Sequence, residues 1–191
     1  MTGIEITIAL LSFVYALALT HLLQSANDLW VARHRVRFSL GLASWMMVSG
    51  LLLILNWLVL APVARSDWSS QVVLANLLTA IAQYFTCSLV AIRVTDDGMV
   101  DMRAYEARQG ASVRVAYLVL VGWAMAVNLL HWDDLGGEDP LTPAAFLSLS
   151  ATELAFSAAL ILGFWRKERW LTWGPALAYA GYLVLVLLGL V

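Results

Sequence analysis

The chain of 191 residues carries 11 Lys and Arg against 13 Asp and Glu, and 62% of its residues are hydrophobic while only 13% are charged. A soluble domain has about a quarter of its residues charged, so this composition excludes one and places most of the surface in lipid. It offers no basic patch for nucleic acid, and its single cysteine, Cys87, excludes an intrachain disulfide, a Cys-rich metal site and a redox pair.

No Pro-, Gly- or Ser-rich linker interrupts the chain, so residues 1–191 read as one transmembrane domain. A helix needs about 20 apolar residues to cross about 30 Å of hydrocarbon. Six segments qualify, at about 4–24, 39–60, 71–92, 113–131, 143–165 and 171–191. The predicted fold is therefore all-α, a polytopic bundle of six transmembrane helices, because lipid leaves no other partner for the backbone.

The first span ends in His21, Gln24, Ser25 and Asp28, a polar face that meets Arg33, Arg35 and Arg37 at a predicted cytoplasmic mouth. Its lack of Lys or Arg before the apolar run, with the basic cluster after it, is the reverse of an export signal. Tyr15 and, in the second span, Ser49 fall at mid-depth. The third span carries Asn76, Thr79, Gln83 and Thr86 at intervals of three, four and three, one polar stripe on an apolar helix.

After it, Asp96, Asp97 and Asp101 bring to mind the CDP-alcohol phosphotransferases, but Val94 stands where that pattern needs an aspartate and no downstream aspartates follow. A turn at Asp97-Gly98 and a short amphipathic helix through Gln109 are expected instead. Asn128, His131, Asp133 and Asp134 close the fourth span as an acidic loop, so no metal site is assigned. The fifth span holds Glu153, with Ser150 and Ser157 on the same face at minus three and plus four. In the sixth, Tyr182 lies at mid-depth, and Gly174, Ala178 and Gly181 make a small-residue seam suited to a second copy or a membrane partner.

Ten of the 11 Lys and Arg lie in or beside alternate connections; Arg65 alone falls on the other side. The positive-inside rule makes the rich side cytoplasmic, giving a multi-pass protein of a bacterial inner membrane with both termini outside. Tryptophans mark both interfaces, with only Trp45 and Trp123 deeper. At an offset of 108, residues such as Phe38, Ser49 and Trp57 match Phe146, Ser157 and Trp165, which raises an inverted 3+3 repeat.

An acidic residue in hydrocarbon is costly, by about 2.5–3.5 kcal/mol at a helix centre, and burial favours its neutral form. Glu153, Gln83 and the neighbouring hydroxyls are thus expected to form a midplane proton or ion site of a small transporter or channel, with the lipid bilayer as surroundings and no cofactor. The alternative is a non-transport scaffold, sensor or assembly subunit whose polar groups join helices; a third is a lipid-modifying membrane enzyme. No H-E-x-x-H, G-x-S-x-G or membrane-embedded Lys is present, so catalysis is not the expected activity. A reporter active only in the periplasm, fused after Val191, should give signal, and fused at Gly110 should give none; the opposite pattern would overturn the orientation.

Overall fold

The computed structural model describes residues 3–63, 70–94, 98–130, 142, 147, 150–166 and 170–190. Among them are six α-helices: α1 Gly3–Val31, α2 Leu40–Val63, α3 Ser70–Val90, α4 Met102–Leu130, α5 Ala151–Trp165 and α6 Trp170–Leu187. Four, α1 to α4, contain stretches long and apolar enough to cross a membrane, the pattern of a membrane-embedded protein. The described part of α5 has 15 residues, or about 22 Å at 1.5 Å per residue, short of the hydrocarbon thickness.

Two helices outrun their apolar segments. α1 continues past residue 24 to Val31, and α4 starts at Met102 and passes through Gly110 without a break. Apolar length measures the part of a helix that sits in lipid; the polar remainder ends only at a breaker. The sequence between α1 and α2 instead turns through a 3₁₀ segment, Arg33–Arg35, into strand β1, Val36–Arg37. β1 pairs in parallel with β2, Val100–Asp101, with Val36 opposite Val100 and Arg37 opposite Asp101.

This pairing joins the starts of α2 and α4. Asp101 caps α4, its Oδ1 accepting from the N–H groups of Arg103 and Ala104 at 3.0 Å each, while Oδ2 accepts from Arg37 Nη1 at 3.3 Å. The Ala104 N–H, then Arg37 and the Arg103 N–H, hold the Asp101 carboxyl below the usual carboxylate range. The cap is therefore intact above that range and is lost as pH falls through the lowered value. Ser39 caps α2 in the same way: its carbonyl accepts from Ala43 N–H at 3.1 Å and its Oγ accepts from Leu42 N–H at 3.5 Å, while Oγ–H donates to Glu106 Oε2 on α4. Ser25 Oγ on α1 donates to Ile92 O at 2.9 Å, and Tyr105 on α4 to Leu89 O at 3.0 Å. Arg33, Arg37, Arg93, Arg103 and Arg108 are exposed at this one end, referred to below as the arginine end.

α2 packs most extensively on α6, α1 on α3, and α3 on α4. The core gathers around Tyr117, Leu42, Val48, Val113, Leu160 and Leu183, all at most 2% exposed, and a smaller cluster of Leu11, Tyr15, Ala18, Leu53, Ala80 and Cys87 joins α1 to α2 and α3. Apolar side chains elsewhere face outward, Phe13, Phe85 and Trp165 among them, as a lipid surround permits. Under the 108-residue offset α1 against α3 corresponds to α4 against α6, and among the described residues that second pair has no comparable contact.

α6 accommodates Pro175 in its second turn, which leaves the Leu171 carbonyl without its usual N–H donor; that carbonyl lies against Gly163 of α5. α6 ends at Leu187, and in the turn after it Gly189 has a φ of +66°, which suits glycine. The flanking bonds, Leu190 N–H to Leu185 O and Gly189 N–H to Val186 O, both 3.0 Å, satisfy two of the terminal carbonyls.

A side chain on Gly41 would collide with the Glu106 carboxylate. Gly41→Ala is expected to push that carboxylate off Ser39 at a cost of about 1–2 kcal/mol, whereas Gly122→Ala, with nothing near the new methyl, should be neutral or stabilising by about 0.5–1 kcal/mol. Since Ser39→Ala breaks the same contact, the Gly41→Ala/Ser39→Ala pair should cost less than the sum when unfolding is followed in detergent. Strict additivity would refute the account.

Candidate functional site

A polar side chain inside a lipid-embedded helix can often satisfy itself by reaching back to the carbonyl four residues earlier. Four of the predicted polar residues do. Asn76 donates to Val72 O and Thr79 to Ala75 O at 2.9 Å, Thr86 to Ala82 O at 2.8 Å, and Ser49 to Trp45 O at 2.9 Å. Thr79 also accepts from Trp123 Nε1 at 2.9 Å, which gives that deep indole its partner.

Two groups are left over. Gln83 is 3% exposed, and its Oε1 is buried without a hydrogen bond; Glu153 Oε2 is in the same condition. Both line one cleft of about 370 Å³ between α2, α3, α4, α5 and α6, together with Asn56, Thr79, Asn128 and Ser150. All of these sit towards the end of the bundle opposite the arginines: the C-terminal halves of α2 and α4, the first turn of α5, and the middle of α3.

Glu153 is placed differently from the centre of a 23-residue span. The described α5 begins at Ala151 with Ser150 as its N-cap residue, and Glu153 occupies the third position. Ser150 and Glu153 have the Ser-x-x-Glu spacing of a capping box, yet Ser150 makes no side-chain cap bond. The carboxyl is thus held at the positive end of a helix, where a negative charge is favoured, and faces the cleft.

The remaining predicted residues go elsewhere. Ser49 meets Gln83, Thr86 and Tyr117 in a contact too tight for a water molecule. Asn76 and Ser157 do not line the Glu153 cleft, Tyr15 belongs to the α1 cluster, and Tyr182 stacks on Tyr179 at 6.0 Å. At the arginine end, His21 and Asp28 line a cleft of about 340 Å³ with Arg93. Arg33 instead lies 5.5 Å over the Trp30 ring and borders a separate apolar cleft, Arg35 is exposed, and Arg37 pairs with Asp101. The predicted mouth is therefore several sites. In the sixth helix Gly174 is half-buried, while Ala178 and Gly181 are exposed. His131, Asp133 and Asp134 lie outside the described residues, and among those described no cluster of three metal-ligating side chains occurs.

Sequence reasoning missed the aromatic column. Trp45 and Tyr117 have ring centroids 4.6 Å apart, Tyr117 meets Phe156 edge-on at 6.2 Å, and Phe156 stacks on Tyr179 at 4.2 Å. The column joins the Glu153 cleft, which Tyr179 lines, to a larger cleft at the arginine end, which Trp45 lines. Spacing could not show this, because its members come from four helices. At its hub the Tyr117 hydroxyl lies 2.7 Å from Ser49 Oγ and 3.2 Å from Trp45 O.

Tyr117→Phe should destabilise the protein in detergent by about 0.6–1.7 kcal/mol, the range for hydrogen bonds between membrane helices. Combined with Ser49→Ala it should cost less than the sum. An unchanged unfolding midpoint for Tyr117→Phe would show that the bond contributes nothing. No protein family, curated protein or solved structure matches this chain, so the site is interpreted from its own chemistry.

Proposed function

We propose that the protein is a small inner-membrane transporter or channel with six spans and both termini outside, in which Glu153 and Gln83 form a proton or cation site. The observation that carries this reading is their convergence on one cleft, each with a buried oxygen that no group in the described chain satisfies. A carboxyl oxygen beside amide and hydroxyl oxygens is a donor set for a hard cation or a proton. Asn76 and Thr86 do not line this cleft, which leaves Glu153 and Gln83 as the ligands, with Thr79 and Ser150 beside them.

In this reading the ion enters from the end opposite the arginines and is held at the first turn of α5. The column Trp45–Tyr117–Phe156–Tyr179 then bars the way to the arginine end until its rings move. An inverted repeat relating the halves is the corresponding architecture. The exposed Ala178 and Gly181, with Gly174, provide the proposed seam for a second copy or a membrane partner.

One observation favours a second reading, a scaffold, sensor or assembly subunit: around Ser49, Thr86 and Tyr117 the interior is too tight for water, as in a protein whose polar groups only join helices. Proteoliposomes with an internal pH-sensitive dye separate the two. Under an imposed membrane potential the wild-type protein should acidify the lumen faster than empty vesicles do, and Glu153→Gln should return the rate to the empty-vesicle level. A wild-type rate no faster than empty vesicles, or one that Glu153→Gln leaves unchanged, would overturn the proton site.

A further inference from the structure

A second cleft, of about 550 Å³, lies at the arginine end, away from Glu153. Its walls are the start of α2, the first half of α4 and Trp173 of α6. Three charged side chains face it: Arg103, Glu106 and Arg114, at spacings of three and eight on one face of α4. Arg103 is engaged, donating from Nε to Phe38 O at 3.2 Å, and Glu106 is engaged by Ser39.

Arg114 is not. Among the described residues it makes no hydrogen bond or ion pair, and its Nε is buried. A guanidinium presents five N–H donors, and leaving even the one on Nε unmet away from water is costly. The nearest carboxylate on its own face, Glu106, is eight residues away, about 12 Å along the helix, and is turned to α2. What holds Arg114 is an aromatic face, its Cζ lying 4.8 Å from the Phe164 ring centroid, with Gly163 beside its end. A positive group is thus oriented by a ring, lines a cleft, and has its donors free.

We propose that this cleft binds a phosphate-type oxyanion, foremost the phosphodiester headgroup of a phospholipid, with Arg114 as its principal donor. Two arginines against one glutamate leave a single positive charge, matched by the single negative charge of a phosphodiester. The planar guanidinium suits two phosphate oxygens at once. Trp173, which also lines the cleft, places an indole at the level where headgroup meets acyl chain. A basic pocket between helices at the arginine-rich side of a membrane protein is the general setting for such binding. The inference is independent of the role given to Glu153.

The test uses the full-length protein in an uncharged detergent, with native mass spectrometry counting bound molecules and a thermal melt reporting stabilisation. Dioctanoyl phosphatidylglycerol, inorganic phosphate and dioctanoylglycerol are the probes. Phosphatidylglycerol should bind and raise the melting temperature, while dioctanoylglycerol should do neither. Arg114→Gln should weaken phosphatidylglycerol binding by about ten-fold, the loss of one charge-assisted contact, Arg114→Lys should weaken it less, and Arg108→Gln, on α4 but outside the cleft, should match wild type. If inorganic phosphate stabilises the protein with the same dependence on residue 114, the oxyanion site stands and its source is soluble. Equal binding by wild type, Arg114→Gln and Arg114→Lys, or equal binding of dioctanoylglycerol and phosphatidylglycerol, overturns the proposal. Should Arg114→Gln fail to fold, the Arg114→Lys comparison alone decides.

Discussion

In hydrocarbon a polar atom must find its partner within the protein or go without, and that constraint organises this chain. Five side chains meet it locally, Ser44, Ser49, Asn76, Thr79 and Thr86 each bonding the carbonyl one turn back. Their helices can then pack through apolar surface, with Thr79 and Ser49 adding one interhelical bond each, to Trp123 and Tyr117. Bonds of this type contribute about 0.6 kcal/mol on average, so they orient helices more than they stabilise them. The same accounting isolates Gln83, Glu153 and Arg114, whose buried atoms stay unmet. All three line clefts.

Where the chain leaves the lipid, connections across longer sequence separations replace back-bonding. Ser39 reaches Glu106, Arg37 reaches Asp101, and Ser25 reaches the carbonyl of Ile92. The exposed Arg37–Asp101 pair contributes little by itself, but Asp101 also caps α4, so one carboxylate fixes a helix start and the β1–β2 register together. Gly41 belongs to this arrangement because any larger residue would displace Glu106. The geometry of the arginine-end cleft follows: with Glu106 held by α2, it attracts Arg114 across the cleft without bonding to it.

The sequence makes some of this legible and hides the rest for identifiable reasons. Four of the helices follow from hydrophobic length, which is why α1 to α4 are found where apolar runs stand. Their polar extensions, to Val31 and from Met102, were not legible, since nothing in hydropathy says where a helix continues into water. The 3, 4, 3 spacing of Asn76, Thr79, Gln83 and Thr86 correctly implies one face, but spacing is silent on which groups satisfy themselves. The Gln83 amide lies at the end of a longer side chain than those of Asn76 and Thr86, and its Oε1 stays unpaired. Glu153 and Ser150 were legible as neighbours one turn apart; that they begin a helix was signalled only by their Ser-x-x-Glu spacing. Glu106 was hidden because its partner stands 67 positions earlier, and Arg114 because a charge count records its sign and not its isolation.

The two clefts and the column between them impose a physical condition on any passage through the bundle. Tyr117 is fully buried, and Phe156 and Tyr179 are stacked, so a hydrated ion cannot pass while these rings keep their places. Moving them is not free, because the Tyr117 hydroxyl would leave Ser49 and Trp45 O. Any such movement starts from α5 or α6, which carry Phe156 and Tyr179, because α2 and α4 are fastened to each other at the arginine end by Ser39 and Glu106 and by β1 and β2. α5 is the shorter described helix, its contact with α4 is modest beside that of α2 with α6, and Glu153 sits in its first turn. If Glu153 is the proposed ion site, a change in its occupancy acts directly on the helix that also carries Phe156, one turn further along. This is how occupancy of one cleft would be felt at the ring that closes it from the other.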